Sequence, residues 1–470
     1  MLLLQGAKNN FLGDFPLPTP LALLRKIRNH LYMLKNDPEK FGANLLQLTN
    51  PLRFQEKLVD VMIAAPLHVR VDQALRDVPT LNVLQPILSP SIMTGGPNTV
   101  VNLAFWVARL GIQVRIVTTK AAPESDPNWF WRHLALVTGE AERPPTLSIV
   151  SATDQSQPLA IGPRDVFLAT HWTTAQQVKT QLPKMEVKRF FYLIQDFEPG
   201  FYAWSSNYAL AMETYSLDHV GVFNERFLFD YLVAQGAGRY TNPEFAAKGL
   251  VFEPAIDRAN FHPLTEPRAD GKRRLLFYAR PGNPRNMLGL GLNALRAAAA
   301  KSAFQQDEWE FLAIGGGGAL PPIPIGHGIV LKPAPWADYA GYGRLLRESD
   351  ILLCPMLSPH TSYPVLEMAA SGGITVTNCF GNKTRAKLEE ISANIIGAPA
   401  TEEGLTDALI EAAIRVRSRV DTNSPFNLPV DWKSSLSNTA EQMAIIFREF
   451  VEEQKFDLSD NKSFHFSHND

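Results

Sequence analysis

Cysteine is scarce in this sequence. Cys354 and Cys379 are the only two in 470 residues, too few to staple the chain, and each lies in a short apolar run. They read as buried small hydrophobes, which suits a reducing cytoplasm. Long hydrophobic runs are missing too. No stretch reaches the ~18 residues of a membrane span, and the opening MLLLQGAKNN lacks the basic and apolar regions of a secretory signal. We therefore expect neither secretion by that route nor a membrane-spanning segment. Charge of one sign is not in excess, with a net charge of −2 and a pI near 6.6, so there is no basic footprint for nucleic acid. TGGPN (94–98) is not G-x-G-x-x-G, and no Walker lysine follows it. There is no internal repeat and no Asp-x-Asp in a convincing site context.

What is present is a chain too long for one ordinary core. Its 45% hydrophobic and 20% charged residues are those of a globular protein. Residues 1–79 read as a helical N-terminal extension. Within it, LALLRKIRNHLYML (21–34) sets Arg25, Lys26, Arg28 and His30 between apolar residues at helical spacing. Such a helix can lie on an anionic membrane, here the inner face of the cell membrane. The alternative is a surface helix packed on its own domain.

From residue 80 strands and helices alternate. Strands are expected at 80–88, 113–119, 146–150, 165–170, 191–195 and 219–223, making a first Rossmann-like domain over 80–253. The proline- and charge-rich segment 252–273 reads as a linker. A second domain over 254–433 carries expected strands at 274–280, 310–314, 328–333, 350–357 and 374–378. Its helices are expected at 288–304, 336–349, 363–372 and 402–418. A last helix, within 434–455, is expected to pack back on the first domain, and the polar tail 456–470 to be disordered. The fold class expected is α/β, with two doubly wound domains facing across a cleft.

Open α/β sheets bind ligands at the carboxyl ends of their strands, and five motifs stand there. SPHTSYPVLEMAASGG (358–373) follows the apolar run ILLCPML and precedes ITVTN. Pro364 sits just inside the helix start, where its missing amide costs nothing, and Glu367 is expected in the first turn. Glu367 has two compatible readings: a complement to the helix dipole, or an acceptor for a ribose diol, with the Ser362 and Tyr363 amides aimed at phosphate. TGGPN (94–98) allows close approach at Gly95 and Gly96, for phosphate or sugar or merely for a tight turn. IGGGG (314–318) is a flexible or ligand-approaching loop. YARPGNPRN (278–286) brings Arg280 and Arg285, which would neutralise a diphosphate or else be solvated. QDFEPGFY (195–202) puts Asp196 and Glu198 at alternate positions, able to project together, amid Phe197, Phe201, Tyr202 and Trp204. Carboxylates beside aromatic faces suit a sugar, though they could also cap the next helix. His171 and Trp172, at a neighbouring strand end, join that cluster.

These residues resemble the GT-B glycosyltransferases of family 4. PAIDRANFHP (254–263) is similar to that family's linker signature. LLFYARPGNPR is similar to its strand ending in Gly-Arg with a basic residue five places on. The resemblance carries diphosphate binding onto Arg280 and Arg285 and ribose binding onto Glu367, within a donor segment that includes His360, Ser362 and Tyr363. IQDFEP (194–199) and SPHTSYPVLEM (358–368) resemble, more closely, bacterial rhamnosyltransferases of the WsaF kind and rhamnan-synthesis proteins, over roughly 80–450. That implies a dTDP-L-rhamnose donor and a growing surface glycan, lipid-linked forms included, as acceptor. One departure matters: where many family-4 enzymes have a first glutamate, this chain has Pro359 beside His360, so a mechanism needing that glutamate does not carry over.

The resulting expectation is a metal-independent glycosyltransferase with no cofactor beyond its nucleotide-sugar donor. Asp196 leads as the residue that activates the acceptor, followed by Glu198 and His171. Two alternatives share the fold: a GT-B nucleotide-sugar epimerase, and a non-catalytic glycan-binding subunit.

Overall fold

The computed structural model describes residues 66–124, 126–154, 156–264, 271–316, 320–335, 337–418 and 425–462. Its strands in chain order begin with β1 (Val69–Val71), β2 (Thr80–Gln85), β3 (Gln113–Thr118), β4 (Leu147–Ser151) and β5 (Leu159–Ile161). β6 (Val166–Ala169), β7 (Phe190–Ile194), β8 (His219–Asn224) and β9 (Leu250–Phe252) follow. Seven of them form a parallel sheet in the order β4-β3-β2-β6-β7-β8-β9, while β1 and β5 pair apart as a two-stranded parallel ribbon. The chain leaves β2 for one side of the sheet and returns through β6 to the other. The carboxyl ends of β2 and β6 therefore flank a topological switch point, the crevice where such sheets hold ligands.

The second sheet repeats the plan. β10 (Arg273–Tyr278), β11 (Trp309–Ile314), β12 (Ile323–Gly326) and β13 (Ile329–Pro333) come first. β14 (Ile351–Leu353), β15 (Ile374–Asn378) and β16 (Ile395–Ala398) complete it. Their order is β12-β13-β11-β10-β14-β15-β16, with β12 antiparallel at the edge. Its switch point lies between β10 and β14, so the loops after those strands, 279–287 and 354–362, share one crevice.

Strands buried on both faces need apolar residues at consecutive positions, and β7, β8, β14 and β15 are buried at every residue. That is why they were legible as runs. Helices cover both faces. In the first domain the longer ones are α1 (Gly95–Arg109), α2 (Pro127–Thr138), α3 (Trp172–Gln181), α4 (Ser206–Thr214) and α5 (Arg226–Ala234). In the second they are α6 (Leu288–Ala300), α7 (Tyr339–Arg347), α8 (Tyr363–Ala370), α9 (Arg385–Ile391) and α10 (Glu402–Arg417). The terminal helix α11 (Trp432–Lys462) crosses back to the first sheet. Its Leu436, Ala440, Met443, Ala444, Phe447, Phe450 and Val451 join the core of β2, β3 and α1. Phe450 lies 5.5 Å from Phe191 of β7, ring centre to ring centre.

Several expectations change. The helical extension over 1–79 falls mainly on residues outside those described, as does the basic segment 21–34. Its described part, 66–79, holds β1 and one 3₁₀ turn, Gln73–Leu75. α11 runs to Lys462, into the tail expected to be disordered; residues 463–470 lie outside those described. β1, β5, β9, β12 and β16 were not expected; each is only three or four residues long, and a run that short carries little periodic signal. Cys354 and Cys379 sit just past the ends of β14 and β15 rather than within them, the first buried, the second half-buried, both free thiols. Among the described residues no helix is long and apolar enough to cross a membrane.

Candidate functional site

The strand ends of the two sheets meet, and polar side chains bridge the seam. Asp196, two residues beyond β7, is ion-paired with Arg285 from the loop after β10. The same carboxylate accepts the Ser358 hydroxyl from the loop after β14, and its Oδ1 also takes the Phe197 amide at 2.8 Å. Arg285 lies over the Phe201 ring, 4.3 Å from its centre, and burial lowers its pKa to about 10, still a cation at neutral pH. Together with Phe197, Gly200, Leu357, Pro359 and Phe380 these residues line a pocket of about 110 Å³.

The turn 354–362 carries the donor candidates. Ser358 accepts the His360 amide at 3.1 Å, and His360 Nδ1 accepts the Ser362 amide at 3.0 Å. That second bond leaves the ring proton on Nε2, and His360 Nε2 is buried without a partner. Burial first, then the Arg285 and Lys383 charges, push the His360 pKa down to about 3, so the ring is a neutral donor. Ser362, at the start of α8, has φ 86°, a conformation that costs a non-glycine residue about 1–3 kcal/mol and persists only when its surroundings enforce it. The enforcement is visible on both sides. Glu225, just past β8 in the first domain, accepts the Thr361 amide at 2.6 Å and its hydroxyl at 2.8 Å. Tyr363 Oη accepts Asn224 Nδ2 at 2.9 Å and shares a 2.8 Å hydrogen bond with Thr99.

Gly95 serves that same contact. A Cβ there would stand 3.2 Å from the Tyr363 ring, at φ +33°, so TGGPN opens space for the other domain's tyrosine. Gly96 faces the Gln195 side chain. Gly315 plays the equivalent part for Arg280: a Cβ would reach 2.7 Å from the Tyr278 ring and 3.2 Å from Arg280 Cγ, at φ +81°. Arg280 itself reaches the Tyr278 hydroxyl at 3.4 Å. Gly317 and Gly318 of IGGGG lie outside the described residues.

Glu367 is not in the first turn of its helix. α8 begins at Tyr363, which puts Glu367 one full turn in, beyond the reach of the helix dipole. Its carboxylate accepts the Tyr342 hydroxyl at 3.0 Å, and enclosure pushes its pKa up to about 7, although part of the side chain still reaches solvent.

Asp196 and Glu198 do not project together. The strand stops at Ile194 and residues 198–201 coil into a 3₁₀ turn, so strand alternation ends before Glu198. Its carboxylate turns inward, accepting the Trp172 amide at 2.5 Å and the Tyr192 hydroxyl at 3.1 Å. Burial raises its pKa to about 8. His171 caps α3, its Nδ1 bonded to Thr173 at 2.8 Å. Burial, with Lys120 nearby, lowers its pKa to about 4. The structure thus gathers Asp196, Arg285, Ser358 and His360 around one seam, and uses Glu198 and His171 to brace the loops behind it. Among the described residues no group of three or more His, Cys, Asp or Glu stands close enough to hold a metal ion.

Sequence reasoning passed over Ser358, Glu225, Thr361 and Lys383. Ser358 and Thr361 lay inside the quoted turn. Glu225 and Lys383 are single residues past strand ends, and their position was the only signal.

Two family models match the chain in order: the N-terminal domain of WsaF over residues 80–226 and the C-terminal domain of WsaF over residues 273–410. The O-antigen biosynthesis protein RfbC of Myxococcus xanthus is 35% identical over 263 residues, covering 54% of this chain and 19% of RfbC, so the chain spans under a fifth of that relative's length. Among solved structures, the catalytic domain of starch synthase IV from Arabidopsis thaliana, bound to ADP and acarbose, aligns with 80% of this chain and 99% of its own at 12% identity and a TM-score of 0.49. WaaG, a glycosyltransferase involved in lipopolysaccharide biosynthesis, aligns with 78% of this chain and 99% of its own at 12% identity and a TM-score of 0.47.

Proposed function

The chain belongs to the WsaF family, and from that premise we propose that it is a glycosyltransferase of GT-B architecture. It takes a sugar from a nucleotide diphosphate held at the carboxyl edge of the second sheet and passes it to a glycan hydroxyl held against the first. The observation that carries this reading is the meeting of Asp196 with Arg285 and Ser358 in a pocket between the loop after β7 and the switch-point crevice of the second sheet.

Each side has a part. Arg280, Arg285 and the Tyr363 amide at the start of α8 offset the charge of the diphosphate and of the departing nucleotide; the Ser362 amide, expected to face phosphate, is instead held by His360 Nδ1. His360 Nε2–H supplies a neutral donor, and Glu367 takes the ribose diol. Asp196 accepts the proton of the attacking hydroxyl. A diphosphate arriving at Arg285 competes with Asp196 for the guanidinium, so donor binding loosens the ion pair and frees the carboxylate for the acceptor. The arginines supply the electrostatics that a metal would otherwise provide, so turnover needs no added metal.

The finer reading is dTDP-L-rhamnose as donor and a growing surface polysaccharide as acceptor. Its support is the likeness of IQDFEP and SPHTSYPVLEM to rhamnosyltransferase segments, together with a relative named for O-antigen biosynthesis. The test is thermal protection by dTDP, UDP, GDP and ADP in excess EDTA, followed by transfer assays with the matching sugars. At 100 times its dissociation constant a true ligand adds about 2.7 kcal/mol of stability. Protection by dTDP alone supports the donor. Protection by UDP alone replaces it, and no protection by any of the four removes the reading.

A further inference from the structure

We infer that Glu225 and Lys383 are positioning residues for the donor site, a buried acid and base from opposite domains that set the shape of the turn 356–362. The inference rests on the glycosyltransferase reading only in calling that turn the donor cradle.

Both side chains are shut away, Glu225 at 1% and Lys383 at 0% exposure. Neither lines the pocket. Each acts through backbone instead. Lys383 Nζ donates to the carbonyls of Met356 at 3.3 Å and His360 at 3.2 Å, tying two points of the turn together. Glu225 Oε1 takes both the amide and the hydroxyl of Thr361. Ser358, His360 and Ser362, the residues offered to the donor, lie between or next to these tethers.

The backbone at Glu225 points the same way. It stands at φ 88° and ψ 151°, a conformation side chains rarely adopt, held by Glu225 N–H to Phe252 O at 2.9 Å and by Phe229 N–H to Glu225 O at 3.3 Å. A non-glycine residue stays in such a region when surrounding structure over-determines it, and here the result is a carboxylate directed across the seam. The loop of Lys383 rests on the same helix: Asn382 Nδ2 donates to Phe227 O at 2.9 Å, and Phe380 packs on Tyr231 with ring centres 5.6 Å apart. One element, α5 with its leading Glu225, therefore seats both loops that build the cradle. Truncating either member leaves buried polar groups on the turn unpaired, which costs more than the bond itself is worth.

The experiment uses the full chain and four variants, Glu225→Ala, Glu225→Gln, Lys383→Met and Thr361→Val, read by dTDP titration, donor KM and amide exchange across 356–362. Glu225→Ala and Lys383→Met should weaken dTDP binding about tenfold or more and raise KM more than they lower kcat, with exchange across the turn accelerated. Gln keeps a carbonyl oxygen for Thr361, so Glu225→Gln should recover most of both. Thr361→Val removes one donor without changing shape, should weaken binding a few-fold, and decides the matter if the Ala and Met variants fail to fold. Wild-type binding and exchange in folded Glu225→Ala, equal losses in Ala and Gln, or an unaltered Thr361→Val would overturn the inference. If the unsubstituted chain binds no nucleoside diphosphate, the glycosyltransferase reading falls, while the exchange rates still decide whether Glu225 and Lys383 hold the turn.

Discussion

Asp196 serves three partners within its own surroundings, Arg285, Ser358 and the Phe197 amide, and only 8% of its surface is exposed. Asn at this position keeps the shape but cannot ion-pair or accept a proton. Asp196→Asn should therefore bind dTDP at least as tightly as the parent, since Arg285 loses a competitor, while turnover falls by roughly 10²–10⁴. Calorimetry and single-turnover rates check this; weakened binding with intact turnover would move Asp196 to the donor side. Glu198 tests the opposite kind of residue. Its folded pKa of about 8 stands above its ordinary 4.5, so the native state holds a proton that the unfolded chain releases. The resulting stability is complete below about pH 4.5 and is lost as pH rises through about 8. Melts of Glu198→Gln at pH 5 and pH 8.5 should show the parent losing ground to the variant at the higher pH. The positions of both carboxylates were readable in the sequence, but their divergence was not. It depends on where β7 stops pairing and the 3₁₀ turn begins, a tertiary matter that alternation alone does not contain.

At the scale of the element, α8 shows what a helix start can and cannot do. Glu367 lies past the first turn, so Glu367→Gln should leave the melting temperature close to the parent's. Losing a charged acceptor for the ribose diol should weaken dTDP binding about tenfold or more. Unchanged affinity would leave Glu367 with the Tyr342 hydroxyl as its whole role. The strand–turn–helix–strand order around α8 was legible because β14 and β15 are buried on both faces and read as unbroken apolar runs. β9, β12 and β16 were not: each forms a sheet edge with three or four residues. A short segment there becomes a strand because a paired neighbour offers it hydrogen bonds, not because its own pattern demands it.

Across the whole molecule, α11 starts beyond the second domain and packs its 436–451 stretch into the core of the first. Phe447, 4% exposed, fills that core, and Phe447→Ala should cost about 3–5 kcal/mol in a denaturant titration. A loss below 1 kcal/mol would show the helix to be loosely docked. The two-domain plan followed from length and alternation, and the strand-end motifs marked both edges of the cleft. Which side chains meet across it did not follow, because Asp196 and Arg285 are 89 positions apart and only the strand orders bring them face to face. Those orders also bury Cys354, whose Sγ lies 3.9 Å from the Ser362 hydroxyl and whose pKa is pushed up to about 12. With Cys379 half-buried as the other thiol, the chain carries its own clock and reference. An alkylating probe should modify Cys379 in an early phase and Cys354 only when the turn lifts from its strand. The slow phase then counts openings of the cradle, and a saturating ligand should stretch that phase alone.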